Sequence, residues 1–146
     1  MELTGQPLSL RALAEVALGR ETVVIAASAH QQVHAARAVI EEITAGDAVV
    51  YGVNTGFGKL SEVHIARGDL RQLQLNLVRS HACGIGAPLS EPEVRAMMLL
   101  RANVLTLGFS GIRLQVIELL AEMLNRGLHP MIPEKGSVGA SGDLAP

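Results

Sequence analysis

The chain has 146 residues, of which 49% are hydrophobic and 18% are charged, and its formal net charge is −2. The weak charge and the lack of a basic stripe exclude an ordinary nucleic-acid-binding surface, so we expect no nucleic-acid partner. No apolar run is long enough to span a bilayer, Met1–Thr4 lacks the basic start of a signal peptide, and Cys83 has no disulfide partner, so we expect a cytoplasmic protein without a membrane partner.

The apolar content is high for a free-standing domain of this length, although aromatic residues are almost absent. Tyr51, Phe57 and Phe109 are the whole aromatic set. A core of aliphatic residues suits packed helices, and the surplus apolar surface predicts a large partner. Because Leu144–Pro146 form no polar tail, we expect residues 1–146 to be a fragment, the N-terminal region of a longer polypeptide.

The front of the chain predicts two helices and a strand. Ser9 precedes apolar residues at helical spacing, and Gly19 ends that helix. The β-branched run Thr22–Ile25 predicts a short strand. Ser28–Gln31 has the form of a capping box, and the apolar spacing after it predicts a second helix that ends at Gly46.

The middle of the chain predicts a strand, a loop and a third helix. Ala48–Val53 is apolar and β-branched enough for a short strand. Asn54–Gly58 must be loop, since an asparagine and two glycines interrupt it. Asp69 precedes a leucine stripe at helical spacing, which predicts a helix that Asp69 caps and that ends near Gly84.

Two more helices follow, so the predicted fold class is mainly α with a few short strands near the front. Ser90–Glu93 combines a capping-box pattern with proline in the first turn, and the helix it starts is apolar nearly all round up to Leu107. Ser110 is predicted to open the last helix, and Gly127 to stop it.

Tyr51–Gly58 is the first candidate site because it combines two of the three aromatic residues with three glycines. Glycines let a ligand approach the backbone closely, and a tyrosine hydroxyl can donate a hydrogen bond, accept one, or act as a base. The alternative is a turn whose two aromatic side chains anchor it to the core. Spacing alone leaves both interpretations open.

The second candidate is the glycine-rich segment Gly136–Asp143. It is not a P-loop, because Asp143 stands where that motif has lysine after the last glycine, and a carboxylate repels phosphate. It is also shorter and less polar than a Gly/Ser linker. A third interpretation is that the backbone reacts with itself.

Such a reaction would join the amide nitrogen of Gly142 to the carbonyl carbon of Ala140 in a five-membered ring. Loss of one water from the ring, and of the Ser141 hydroxyl as a second, leaves an exocyclic methylene conjugated with the ring. Gly142 has no Cβ to block the approach, and Ala140 is small. The product is a strong electrophile that needs no external cofactor.

Other polar residues have simpler interpretations. His30 and His34 are four apart on a predicted helix, but no third ligand accompanies them, so we predict no metal site. Cys83 is interpreted as a small packed residue rather than a nucleophile, since the sequence offers it no partner base.

The motif "GSVGASGDLAP" closely resembles the signature of the aromatic amino-acid ammonia-lyase family, in which Ala-Ser-Gly becomes 4-methylideneimidazol-5-one (MIO). "YGVNTGFG" resembles the tyrosine loop of that family, and "LQLNLVRSHACGIG" resembles its substrate-selectivity helix. The resemblance covers essentially the whole chain in the family's order. It implies part of a larger helix-bundle enzyme.

By this resemblance, Ala140–Gly142 are the MIO precursors and Tyr51 is the base that removes the β-proton of the substrate. Ser80 and His81 match the pair that separates the branches of the family, and Ser-His is typical of its histidine branch. His81 would then contact the substrate imidazole. Asp143 matches an aspartate beside the MIO, with a supporting role.

The resemblance further implies elimination of ammonia from L-histidine to give trans-urocanate, the first step of histidine degradation, in a homotetramer with shared active sites. The fragment alone is expected to be inactive. A tyrosine or phenylalanine lyase, an aminomutase, and an inactive helical scaffold with an uncyclised loop remain as alternatives. The resemblance also leaves open whether the MIO reacts with the amine or with the imidazole ring of the substrate.

Overall fold

A computed structural model describes residues 1–139 and 142–146. The fold is mainly α, as predicted, and the strands are short. The helices are α1 (Leu10–Ala17), α2 (Ala27–Ala45), α3 (Leu70–His81), α4 (Glu91–Leu105) and α5 (Leu114–Asn125). The strands are β1 (Glu2–Leu3), β2 (Val24–Ile25), β3 (Ile85–Pro88), β4 (Pro133–Lys135), β5 (Val138–Gly139) and β6 (Gly142–Asp143). The strands are therefore not confined to the front of the chain.

The chain divides into two compact units. The first comprises Met1–Ala38 and Ala87–Ile132, and the second comprises Val39–Gly86 and Pro133–Pro146. Within the described parts of the chain, no helix combines the length and the apolar character that crossing a membrane requires.

Helix α4 forms the centre of the first unit and packs against both α1 and α5. Its apolar side chains on several sides explain why one helix can contact two neighbours. Strands β1 and β2 also belong to this unit and pair in parallel orientation, with Leu3 opposite Ile25. The core side chains are Leu3, Val16, Val23, Val33, Val94, Met98, Leu99, Ala102, Leu105, Leu114, Ile117, Ala121 and Leu124.

Two predicted helix starts in the first unit have the predicted side-chain hydrogen bonds. The hydroxyl of Ser9 accepts from the amide of Ala12 at 3.1 Å, so α1 begins where its sequence signal lies. At α4, the hydroxyl and the amide of Ser90 donate to the Glu93 carboxylate at 2.6 and 2.8 Å. These two bonds hold the pKa of Glu93 below its usual value.

Buried polar side chains connect the helices of the first unit. The guanidinium of Arg95 donates to the carbonyls of Val16 and Leu124, near the C-terminal ends of α1 and α5. Carbonyls in a last helical turn lack intrahelical partners and favour cations. Asn103 likewise accepts from Gly5 and donates to Gln6, which holds the N-terminal segment to α4.

The second unit contains α3, strands β4, β5 and β6, and the first two residues of β3. The predicted leucine stripe of α3 is half-buried on one side, whereas Val78 is exposed on the other. Strand β3 pairs with β4. Strands β5 and β6 pair in antiparallel orientation, with Val138 opposite Asp143 and Gly139 opposite Gly142. That pairing brings the two ends of the candidate loop side by side.

Several predicted boundaries are wrong. Ala48–Val53 is not a strand: residues 48–50 have no regular secondary structure and residues 51–53 form a turn, because the backbone groups bond within the segment and to a nearby side chain. Ser28 lies inside α2, which begins at Ala27. The hydroxyl of Ser110 accepts a local amide, and α5 begins only at Leu114. Asp69 precedes α3 but makes no side-chain cap bond.

Candidate functional site

The loop that carries Tyr51 is organised by the buried side chain of Asn54, which is 3% exposed. Its Oδ1 accepts from the amide of Val50 at 2.8 Å, and its Nδ2 donates to the carbonyl of Ala48 at 2.8 Å. An asparagine that bonds its own preceding backbone closes a turn. Asn54 therefore shapes the segment immediately before and around Tyr51.

Thr55 is the second buried polar residue of this loop. Its hydroxyl accepts from the amide of Gly52 at 3.2 Å and donates to the carbonyl of Gly56 at 2.9 Å. An isolated antiparallel bridge also joins Thr55 to His64. Such a compact loop holds its shape through its own polar groups.

Tyr51 itself is 62% exposed, and among the described residues none bonds to its hydroxyl. Its ring meets the half-buried ring of Phe57 edge-on, with the ring centroids 6.0 Å apart and an interplanar angle of 70°. This geometry is favourable for aromatic pairs. The half-buried ring of Phe57 therefore supports the ring of Tyr51, and the exposed Tyr51 hydroxyl is available to a ligand.

Replacing Asn54 with alanine should loosen the tyrosine loop, because the amide of Val50 and the carbonyl of Ala48 both lose their partner. Loss of two buried hydrogen bonds costs about 1–3 kcal/mol of local stability. Hydrogen exchange at Val50 should accelerate accordingly, while exchange in α4 should not change. Asn76→Ala, on the exposed surface of α3, is a matched control. Unchanged exchange at Val50 would contradict this role for Asn54.

Ser80 and His81 form the last turn of α3. The ring Nδ1 of His81 lies 2.8 Å from the carbonyl of Leu77 and 3.0 Å from the Ser80 hydroxyl. The Ser80 hydroxyl is also 2.8 Å from that carbonyl. The two side chains predicted to bind the substrate, those of Ser80 and His81, are therefore oriented by polar contacts with each other and with the backbone of α3.

A cavity of about 340 Å³ within the second unit brings several predicted site residues together. It is lined by Ser80, His81, Cys83, Ser137, Gly139, Gly142, Leu144 and Ala145. The size is in the range of small-molecule sites. Tyr51 does not line this cavity. Ala140 and Ser141, the other predicted MIO precursors, lie outside the described residues.

Asp143 holds the described ends of the glycine-rich loop. Its carboxylate accepts from the amide of Gly136 at 2.6 Å and from the amide of Ala145 at 3.4 Å. Gly142 has φ of +87°, a backbone conformation that side chains disfavour. The predicted need for glycine at 142 thus has a conformational reason in addition to the access it gives to the amide nitrogen.

Gly136→Ala should displace Asp143, because a Cβ at residue 136 would overlap the carboxylate and come within 2.6 Å of the Ala145 Cβ. If residues 140–142 cyclise as the sequence predicts, a smaller fraction of the variant chains should carry the ring, which intact mass measures. Gly68→Ala is the matched control, since nothing lies within 4 Å of a Cβ there. Equal cyclised fractions in the two variants would contradict a bracing role for Asp143.

The sequence interpretation included Asn54, Thr55 and Gly136 in its two candidate segments but gave none of them a role of its own. Asn54 had a partial signal, because asparagine is one of the residue types that favour turns. The packed interpretation of Cys83 is wrong, since this residue is exposed and lines the cavity. Among the described residues, no group of three histidine, cysteine, aspartate or glutamate side chains is arranged to hold a metal.

Comparison with known proteins places the chain among aromatic amino acid lyases. The sequence profile described as "Aromatic amino acid lyase" matches residues 8–146. A histidine ammonia-lyase of Koribacter versatilis (strain Ellin345) is 56% identical over all of this chain. The chain spans only 28% of that relative, and 28–29% of the histidine ammonia-lyases of Myxococcus xanthus, Geobacillus thermodenitrificans and Sorangium cellulosum.

Solved structures give the same result. The crystal structure of histidine ammonia-lyase from Trypanosoma cruzi matches with a TM-score of 0.84 and 42% identity, over 99% of this chain and 28% of the other. The ergothioneine-degrading enzyme ergothionase from Treponema denticola matches with a TM-score of 0.92 and 33% identity, over 99% and 29%. The chain therefore belongs to the aromatic amino acid lyase family.

Proposed function

We propose that this chain is the N-terminal region of a longer histidine ammonia-lyase that converts L-histidine to trans-urocanate and ammonia. The observation that carries the proposal is the shared cavity of Ser80, His81 and Gly142. A group that can hydrogen-bond an imidazole thereby faces one end of the Ala-Ser-Gly segment. The family membership and the histidine ammonia-lyase relatives support the same substrate.

The residues around the loop suit the formation of MIO from Ala140, Ser141 and Gly142. The pairing of Gly139 with Gly142 keeps the ends of the segment together, and Asp143 braces the chain on both sides. The positive φ of Gly142 needs a residue without Cβ. Once formed, the group supplies an electrophile that makes ammonia easier to expel, with no external cofactor.

The remaining chemistry falls to side chains of this chain and to its partners. We assign removal of the β-proton to Tyr51, whose hydroxyl is exposed on an ordered loop. His81 receives the imidazole of the substrate. The exposed side chains of Leu10, Phe109 and Met131 support a covering partner. We propose that this partner is the rest of a homotetramer whose subunits share active sites.

The test is ammonia release by the full-length polypeptide from L-histidine, L-tyrosine and L-phenylalanine, each compared at the same enzyme concentration. We expect histidine to be preferred by kcat/KM, with urocanate as the product. Preference for tyrosine or phenylalanine would overturn the substrate assignment. Formation of a β-amino acid would indicate an aminomutase. An inactive scaffold would be indicated if the polypeptide reacts with none of the three amino acids and its intact mass equals the mass calculated from its sequence.

A further inference from the structure

The chain that follows α3 and the chain that leads into the glycine-rich loop meet at one close contact, between Gly84 and Pro133. A Cβ on Gly84 would overlap Cγ of the Pro133 ring and lie 3.0 Å from its Cβ. Carbon atoms in ordinary contact are about 3.5–4.0 Å apart. Only a residue without a side chain therefore lets the proline ring lie this close.

Neither residue can relieve such an overlap by rotating a side chain. The Pro133 ring is closed onto its own backbone nitrogen, which fixes φ and leaves the ring no other direction to point. Gly84 does not have a positive φ, so its backbone conformation suits alanine and a methyl group is excluded by contact alone. An added methyl group would therefore push the two segments apart by about 1 Å or more to reach ordinary carbon contacts.

This contact joins the two walls of the cavity in the second unit. Gly84 follows Cys83, which lines the cavity, and comes shortly after the end of α3. Pro133 begins β4, which leads directly into Gly136. The amide of Gly136 donates to the Asp143 carboxylate at 2.6 Å, so a displacement of β4 is passed on to the far side of the glycine-rich loop. The separation of the two walls thus depends on how closely Pro133 approaches Gly84.

We propose that Gly84 is a positioning residue: by admitting the Pro133 ring, it sets the width of the cavity between the end of α3 and the glycine-rich loop. This inference rests on the proposed function, in which the substrate binds between these two walls. The width then selects the size of the substrate side chain. A wider cavity leaves a small ring short of contacts and gives a larger ring room.

The experiment compares the wild-type full-length enzyme with Gly84→Ala, using L-histidine as substrate and L-phenylalanine as competitive inhibitor. In the variant, kcat for histidine should fall by up to about 10²-fold, because a shift of about 1 Å displaces the substrate from the reacting group. The inhibition constant of phenylalanine divided by the KM for histidine should fall about fourfold, the gain from burying one more CH₂-sized group. This ratio does not depend on the fraction of active enzyme, so partial misfolding of the variant leaves it unchanged.

Gly84→Ala/Pro133→Ala is the rescue variant, because it removes the ring Cγ that the new methyl group would overlap. We expect the ratio to return most of the way to its wild-type value. Gly68→Ala is the matched control, since a Cβ there has nothing within 4 Å, and it should leave the ratio unchanged. All of these chains should keep the mass deficit of two waters, because Gly84 takes no part in the cyclisation.

Three results would overturn the role of Gly84. They are an unchanged ratio in Gly84→Ala, no recovery in the double variant, and loss of the mass deficit, which would place the effect of Gly84 on cyclisation instead. Each of them leaves the proposed function in place if the wild-type enzyme turns over histidine. A wild-type enzyme inactive on histidine would overturn the proposed function itself, and the inference with it.

Discussion

Replacing Ser141 with alanine in the full-length polypeptide is expected to abolish ammonia release, with kcat lowered by at least about 10³-fold. The reason is chemical, since alanine has no hydroxyl to leave as the second water and the conjugated methylene cannot form. The wild-type chain should weigh about 36 Da less than its sequence, the mass of two waters, in contrast to the Ser141→Ala chain, which loses at most one.

Ser28→Ala is the control for this experiment, because Ser28 is an exposed serine inside α2 with no part in the proposed site. It should retain both wild-type activity and the mass deficit. The assignment of the electrophile to Ala140–Gly142 fails if Ser141→Ala keeps wild-type turnover. It also fails if the active wild-type chain has its full sequence mass.

Tyr51→Phe should lower kcat by about 10²–10⁴-fold while leaving the KM for histidine nearly unchanged, as expected for loss of a general base. The substitution removes only the hydroxyl, so the edge-on contact with Phe57 can remain. Proton removal should then limit the rate. L-Histidine deuterated at Cβ should therefore show a larger isotope effect on kcat in the variant than in the wild type.

Phe57→Leu separates the hydroxyl of Tyr51 from the order of its loop. It removes the aromatic contact but keeps the hydroxyl, and loss of such a contact costs about 0.5–1.5 kcal/mol. We expect activity to fall no more than about tenfold, the equivalent of that loss. If Phe57→Leu is as damaging as Tyr51→Phe, the base assignment is wrong and the loop acts through its shape.

The elements predicted best are those whose signals are local. Ser9 and Ser90 bond to groups three residues away, so the sequence around them was sufficient to place the starts of α1 and α4. The strand predicted at Ala48–Val53 failed for a related reason. Its β-branched residues favour a strand, but the side chain of Asn54 takes up the backbone groups that a strand would pair.

In the candidate site, too, some residues had a signal in the sequence and others did not. Motif resemblance predicts Ser80, His81, Gly142 and Asp143 as site residues, without any distance between them. Gly136 had no such signal, because its requirement for glycine comes from the Asp143 carboxylate seven residues away in the chain. A steric requirement of this kind exists only once the loop has folded back on itself.

The sequence by itself determined the helical class, the family, and which residue types can build an electrophile without an added cofactor. These depend on hydrogen-bonding patterns, spacing and covalent chemistry, which are properties of short segments. Only the tertiary structure decided that the end of α3 and the glycine-rich loop line one cavity. That proximity arises from how the two segments pack, which their separation in the sequence does not show.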